Sequence, residues 1–413
     1  MSSLFDEAIE AGRLGNSHAS RQLLQSALAS GDERARLPLA GMMLDGRGGP
    51  IDPDGTVAVL EPVEPGHAIA RRMLATAMAL GPGGFPGAIQ RRLEHAQAGD
   101  RDAAVQVGVL LLNSHPAQSF ELLQGAARQG AGLAAAALLH HAKNHKGLWP
   151  ELERWLNELM ATGYPLAGPL KTEMAQMPRT SRAPVLPADT EGFEMIGLAR
   201  PMSATSPAEL SEAPSIRSHT AVVSHASCDY LLAAAWPTLR RAEVFDPVTG
   251  RTSLDAHRKA YSASIPRSFQ DLAIARVVAD MATCAGTSAS FAENLAILLY
   301  YPGDEYKLHL DCFTSDDGLA SAELAAQGQR RATSLAPLNG SYGGGETRFP
   351  RLDINWRGEK GDVLSFVNVT AAGSPDPLSL HQGAPVVSGW KALASLWVRE
   401  QMPGTAGIAE RTA

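Results

Sequence analysis

Apolar and polar positions follow two different rhythms along this chain, and the change between them divides it. Up to about residue 165, apolar residues recur at helical spacing, as in Leu23, Leu24, Ala27 and Leu28, which places them on one face of a helix. Runs rich in Ala, Leu and Met predict helices over Ala35–Leu44, Ala68–Leu80, Ala103–Leu112 and Leu133–His141. Further candidate helices, Ala88–Ala98, Ser119–Arg128 and Glu151–Thr162, each end just before a glycine. The glycines themselves keep time: Gly31, Gly66, Gly99, Gly130 and Gly163 are 35, 33, 31 and 33 residues apart. Glycine ends a helix by taking the left-handed conformation, so the period marks a repeated helix–turn–helix unit.

Stacked two-helix units of about 33 residues predict an α-solenoid with a concave face suited to a protein or peptide. Leu39-Ala40-Gly41-Met42-Met43, through Asp45-Gly46-Arg47-Gly48-Gly49 to Asp52, is the clearest unit, and it resembles tetratricopeptide and Sel-like repeats. Pro62, Pro65, Pro82 and Pro86 interrupt the pattern, which keeps an irregular helical domain open as the alternative. Pro165, Pro169, Pro178, Pro184 and Pro187 then crowd one stretch. The expected division is a helical repeat domain over 1–165, a Pro-rich linker over 166–190, a second domain over 191–403 and a tail over 404–413. A short strand is expected at Phe193–Leu198.

Beyond Ser215 the pattern becomes mixed. Helices are predicted at Cys228–Leu239 and Phe269–Cys284, then strands at Asn294–Tyr301, Tyr306–Phe313, Thr333–Leu338, Asp362–Val369 and Lys391–Glu400. Helices followed by short strands argue for an α+β domain around a β-sandwich or jelly roll. Two polar stretches, Asp246–Ser262 and Thr314–Gln329, are expected as lid loops at the mouth of the barrel.

Composition narrows the function class. The chain has 413 residues, 45% hydrophobic and 19% charged, which fits a globular protein with more than one core. A net charge of -7 without a basic cluster argues against nucleic acid as a partner. No apolar run is long enough to span a membrane, and the N-terminus lacks a signal-peptide pattern. Cys228, Cys284 and Cys312 are odd in number and contain no Cys-x-x-Cys pair, which points to a reducing, cytoplasmic setting and against a zinc ribbon. Oligomeric state is not legible.

One constellation carries chemistry. His309 and Asp311, two apart on a predicted strand, face one side, and His381 can join them from a distant strand. Two imidazoles and one carboxylate form the facial triad that leaves open positions on non-haem Fe(II). The surrounding residues are more specific. Four blocks in order resemble the prolyl 4-hydroxylase-type 2-oxoglutarate/Fe(II) dioxygenases: Tyr300-Tyr301-Pro302-Gly303 through His309-Leu310-Asp311; Gly344-Gly345-Glu346-Thr347-Arg348-Phe349-Pro350; Gly361-Asp362-Val363-Leu364-Ser365-Phe366 with Asn368; and Gly373 through His381-Gln382-Gly383 to Gly389-Trp390-Lys391. The resemblance runs from Ser215 to Arg399. Pro337 and Ala392 depart from it, where the family often has aromatic residues.

The resemblance implies a double-stranded β-helix (jelly-roll) domain after the helical repeats. It implies Fe(II) on His309, Asp311 and His381, and 2-oxoglutarate and O2 as co-substrates, with ascorbate supporting turnover. Lys391 would pair with the distal carboxylate of 2-oxoglutarate, with Tyr300 as its hydrogen-bond partner and Tyr301 as second choice. Thr333 is expected to line the co-substrate pocket, and Arg330 and Trp397 to meet substrate. The implied activity is hydroxylation of a peptidyl proline in a protein or peptide presented by the helical repeats. The same chemistry on a small molecule or another side chain, and a non-catalytic scaffold, are the alternatives.

Overall fold

The structure, a computed structural model, describes residues 3–81, 84–112, 114–134, 137–138, 149–161, 163, 167–176, 206–246, 251–254, 257–314, 324 and 327–403. The first part is helical: α1 (Leu4–Arg13), α2 (Ser17–Ala29), α3 (Arg36–Asp45), α4 (Pro53–Leu60), α5 (Ala68–Leu80), α6 (Gly84–Gln97), α7 (Arg101–Leu111) and α8 (Pro116–Arg128). Two more helices are α9 (Trp149–Ala161) and α10 (Ala167–Gln176). From α1 to α8 each packs on the next. Polar caps start several of them: the Ser3, Asn16, Asp52 and Asp100 side chains each accept a first-turn backbone N–H.

Gly31, Gly99, Gly130 and Gly163 have φ of 92, 94, 86 and 75°, the left-handed conformation the repeat required. Gly66 differs. It closes a short 3-10 turn, Glu64–Gly66, that contains Pro65. Pro86 does not break its helix, because it lies in the first turn of α6, where the missing N–H has no intrahelical partner. Helix α10 occupies the start of the stretch read as a linker. The strand expected at Phe193–Leu198 lies outside the described residues.

The second part holds α11 (His225–Ala235), α12 (Leu272–Cys284) and sixteen strands among the described residues. They are β1 (Ala208–Glu212), β2 (Ser215–His219), β3 (Arg240–Arg241), β4 (Glu243–Asp246), β5 (Arg251–Leu254), β6 (Tyr261–Ile265), β7 (Leu295–Tyr300) and β8 (Tyr306–His309). Then come β9 (Arg330–Pro337), β10 (Tyr342–Gly344), β11 (Thr347–Phe349), β12 (Ile354–Trp356), β13 (Val363–Val367), β14 (His381–Gly383), β15 (Val386–Gly389) and β16 (Lys391–Arg399). A major antiparallel sheet has the order β1-β2-β13-β9-β16-β7-β6-β3, and a minor one β12-β11-β14-β8. The two face each other in a jelly-roll-like arrangement, with Phe349 and Trp356 of the minor sheet packed on Leu298, Leu335, Leu364, Phe366 and Leu393 of the major one.

Strand parity sorts the major sheet's side chains. Leu298 and Tyr300 of β7 face inward, while Leu295, Ile297 and Leu299 face out toward α11 and α12. Helix α12 is apolar nearly all round, and both of its sides are covered. Val277, Val278 and Met281 belong to the core on the sheet. Leu272 packs with Ala75, Ile89, Val107 and Leu111 of the helical repeats. Polar contacts seal this junction: the Ser268 backbone N–H and hydroxyl donate to Asp45 at 2.9 and 2.8 Å, and Thr76 Oγ1 donates to the Gln270 carbonyl at 3.0 Å.

Two expectations need correction. The strand predicted over Tyr306–Phe313 stops at His309, and Asp311 lies in a bend beyond it. The reason is local: the Gln329 side chain accepts from Phe313 N and donates to Phe313 O, both at 2.8 Å, and takes the place of a strand partner. The stretch Asp246–Ser262, read as a loop, contains part of a hairpin in which β4 pairs with β5. Most of Thr314–Gln329 lies outside the described residues.

Candidate metal centre and co-substrate pocket

Strands β8 and β14 pair so that His309 stands directly opposite His381. The His309 Nδ1 contacts the Lys307 carbonyl at 2.7 Å, and the His381 Nδ1 contacts the Ser379 carbonyl at 3.0 Å. A carbonyl only accepts, so each Nδ1 carries a hydrogen, which leaves each Nε2 to face the site. Both Nε2 atoms meet Asp311: Oδ1 is 3.4 Å from His309 Nε2, and Oδ2 is 3.6 Å from His381 Nε2. One ligand atom from each residue lies within 4.8 Å of the others, so the bend after β8 delivers what strand parity was expected to deliver.

Electrostatics suit ligation. Burial pushes the His381 imidazole down to about 4. Burial alone would raise the Asp311 carboxyl, but His381, His309 and the Thr333 hydroxyl outweigh it and hold Asp311 well below the carboxylate range. Tyr306 stacks on His309 with ring centroids 3.5 Å apart, and Phe349 and Phe366 flank His381.

Thr333 lies behind the carboxylate rather than beside Lys391. Its hydroxyl donates to Asp311 Oδ2 at 2.7 Å, and Asn368 Nδ2 donates to that hydroxyl at 3.0 Å. The Ser379 hydroxyl reaches the Asn368 carbonyl at 3.3 Å, which links this chain of bonds to the segment carrying His381. Asn368 stood in one of the sequence blocks without a role, and this chain of bonds supplies one.

Lys391 opens β16 opposite Tyr300 of β7. Its ammonium is buried, lies 5.6 Å from the Tyr300 ring centroid and donates to the Gly345 carbonyl at 2.8 Å. No carboxylate of the described residues pairs with it at ion-pair distance, and burial pushes it down to about 8. Gly345 has φ of 71°, and a Cβ there would come within 3.2 Å of the Lys391 chain, so glycine lets this backbone approach the cation. Lys391, Tyr300, the three candidate ligands and Trp397 line one pocket. Tyr301 points the other way, its ring 5.8 Å from that of Tyr261.

Arg330 is half-buried and lines neither that pocket nor its ligand cluster. It binds both Glu293 oxygens, at 2.7 and 2.8 Å, and its guanidinium lies 4.2 Å from the centre of the Trp397 ring. The Trp397 indole N–H is buried and has no acceptor.

No protein-family profile matches the chain. It is 31% identical over 186 residues to prolyl 4-hydroxylase subunit alpha-1 of Rattus norvegicus, across 45% of this chain and 34% of that protein. The chain thus spans about a third of the length of this relative. It is 31% identical over 212 residues to probable prolyl 4-hydroxylase 6 of Arabidopsis thaliana, across 46% of this chain and 70% of that protein. Among solved structures, the viral collagen prolyl hydroxylase of Paramecium Bursaria Chlorella virus-1 in its 2OG complex aligns with a TM-score of 0.35 and 24% identity, across 45% of this chain and 95% of that one. The similarity to the plant enzyme extends over most of its length, and the chain belongs to the prolyl 4-hydroxylase family of 2-oxoglutarate- and Fe(II)-dependent dioxygenases.

Proposed function

We propose that this protein hydroxylates a prolyl residue in a protein or peptide, using Fe(II), 2-oxoglutarate and O2. One observation carries the reading: the Nε2 atoms of two imidazoles and a carboxylate converge in the same pocket as a buried ammonium that no carboxylate of the described residues pairs with. The first set fits a divalent metal with open positions. The second fits a dicarboxylate, since a buried cation seeks an anionic partner.

His309 and His381 hold the metal through Nε2, and Asp311 through a carboxylate oxygen. Thr333 acts through Asp311: its hydroxyl fixes the carboxylate plane. Lys391 holds the distal carboxylate of the co-substrate. Tyr300, whose phenol burial drives upward, stays protonated as a second donor to the same group. Leu298, Leu335, Phe366 and Leu393 keep the pocket wall dry. When bound, iron and 2-oxoglutarate supply the oxidising chemistry, yielding succinate, CO2 and a hydroxyl group on the substrate carbon. Ascorbate would serve as the reductant that supports turnover. The free thiols of Cys228, Cys284 and Cys312 suit a cytoplasmic setting. Among the described residues, no helix is long and apolar enough to cross a membrane.

The test is anaerobic. Fe(II) and then 2-oxoglutarate, added to metal-free protein, give a visible charge-transfer band in the wild type. Lys391→Ala weakens the band and His309→Ala removes it. Folded wild-type protein without the band refutes the reading.

A further inference from the structure

The minor sheet has four strands and the major sheet eight, so part of the inner face lies bare. At the β6 end that face is surfaced by small side chains, Ser262, Ser264 and Ala296, with Ser262 opposite Leu298 and Ser264 opposite Ala296. A cavity of about 630 Å³ opens over them. Its other wall comes from the helical repeats: Asp45 at the end of α3 and Arg47 in the turn after it. Leu298 and Trp397 line both this cavity and the pocket of the metal ligands and Lys391, so the two adjoin.

The lining has a distinct chemistry. Phe269, 66% exposed, and Trp397 offer aromatic surface, which suits proline rings. Four arginines line the cavity against two carboxylates. Most of these charges are committed: Arg399 pairs with Glu293, Arg267 turns to the Ala289 and Ala292 carbonyls, and Asp45 accepts from Ser268. Arg47 is different. Its side chain is 59% exposed and approaches Asp45 only to 3.5 Å.

We propose that this cavity is the substrate channel, that it takes an extended prolyl segment bearing an acidic side chain, and that Arg47 of the helical repeats reads that acid. The inference rests on the hydroxylase reading for what happens at the inner end, but binding in the channel is measurable without turnover. The helical part is then one wall of the substrate site, and it selects the sequence beside the target proline.

Fluorescence anisotropy on the full chain tests this. The probes are a labelled peptide repeating alanine, glutamate and proline, and copies with glutamine or lysine in place of glutamate. The glutamate peptide binds wild type about fivefold more tightly than the glutamine one, the size expected of one partly exposed charge pair. Arg47→Glu inverts the order, weakening the glutamate peptide about tenfold and strengthening the lysine peptide relative to wild type. The gain for lysine could not come from misfolding. Ala296→Phe, which fills the channel floor, weakens all three peptides while its melting transition shows it folded. No peptide binding to wild type, an unchanged order in Arg47→Glu, or full binding by folded Ala296→Phe each overturns the proposal. The charge-transfer band, read on the same wild-type sample, decides the metal chemistry separately.

Discussion

Thr333→Val isolates one hydroxyl behind the metal centre. Valine keeps the shape of threonine and loses only the group that donates to Asp311 Oδ2 at 2.7 Å. Thr333 is fully buried and Asp311 6% exposed, so water cannot replace the donor. A hydrogen bond to a charged group contributes about 1.5–3 kcal/mol, which is roughly ten- to a hundredfold in metal affinity if the whole effect falls on the bound state. The range agrees with the usual cost of removing a group that orients a metal ligand. Asp311 is buried with or without metal, so part of the loss also appears as lower stability of the metal-free protein. Two measurements separate the shares: Co(II) titration followed by visible absorption, and urea unfolding of the metal-free protein. A Co(II) dissociation constant within about twofold of wild type would refute the positioning role. Asn368→Ala supplies a further check, because it removes the donor to the same hydroxyl. Groups in one chain of bonds are coupled, so the double variant costs less than the sum of the singles, and strict additivity counts against the chain.

Three further outcomes are expected. Burial holds the folded Lys391 at about 8 against 10.5 unfolded, so between those values the unfolded chain binds the extra proton. Metal-free protein therefore gains stability as pH rises through that window, and Lys391→Met abolishes the gain; denaturant titrations across the window that stay flat for wild type contradict the assignment. Gly345→Ala forces a side chain onto a positive φ and against the Lys391 stem, which displaces the ammonium. It raises the 2-oxoglutarate needed for the visible band, while Co(II) affinity stays near wild type; a normal 2-oxoglutarate requirement would remove Gly345 from the pocket's design. Leu272→Ala deletes a fully buried contact between α12 and the helical repeats, at a cost of about 2–5 kcal/mol. Calorimetry shows one lowered transition for the whole chain; a split in which only one part shifts argues against shared stability.

Legibility in the sequence followed element length and local signal. The helix Ala68–Leu80 and the strands around Leu295–Tyr300 and Lys391–Arg399 are long, apolar and punctuated by turn residues, so periodicity finds them. Strands β10, β11, β12 and β14 have three residues each and carry glycines such as Gly343, Gly344 and Gly383. Three residues hold no period, and pairing with distant strands is what makes them strands. His309 and Asp311 were legible because they stand two apart, and the distant His381 was legible only through the flanking block that resembles the family. Thr333 was legible as a site residue, but its partner was not, since 22 residues separate it from Asp311. The turn carrying Arg47 meets the second part through the docking of α3 on the segment before α12 and through the approach of Gly46 to Pro403, and no spacing rule reports that.

Helix α12 has a consequence for modularity. The proline-crowded stretch reads as a seam at which evolution or an experimenter could separate two parts. Yet Leu272 has its neighbours on α5, α6 and α7, and Val277, Val278 and Met281 have theirs on the sheet. A cut at the seam leaves the sheet's own helix with an uncovered apolar flank, and leaves the repeats without their last layer. The seam in the chain is thus no seam in the core. The barrel of this protein is not a portable cassette, and transplanting it onto another scaffold requires remaking the surface that the repeats now cover.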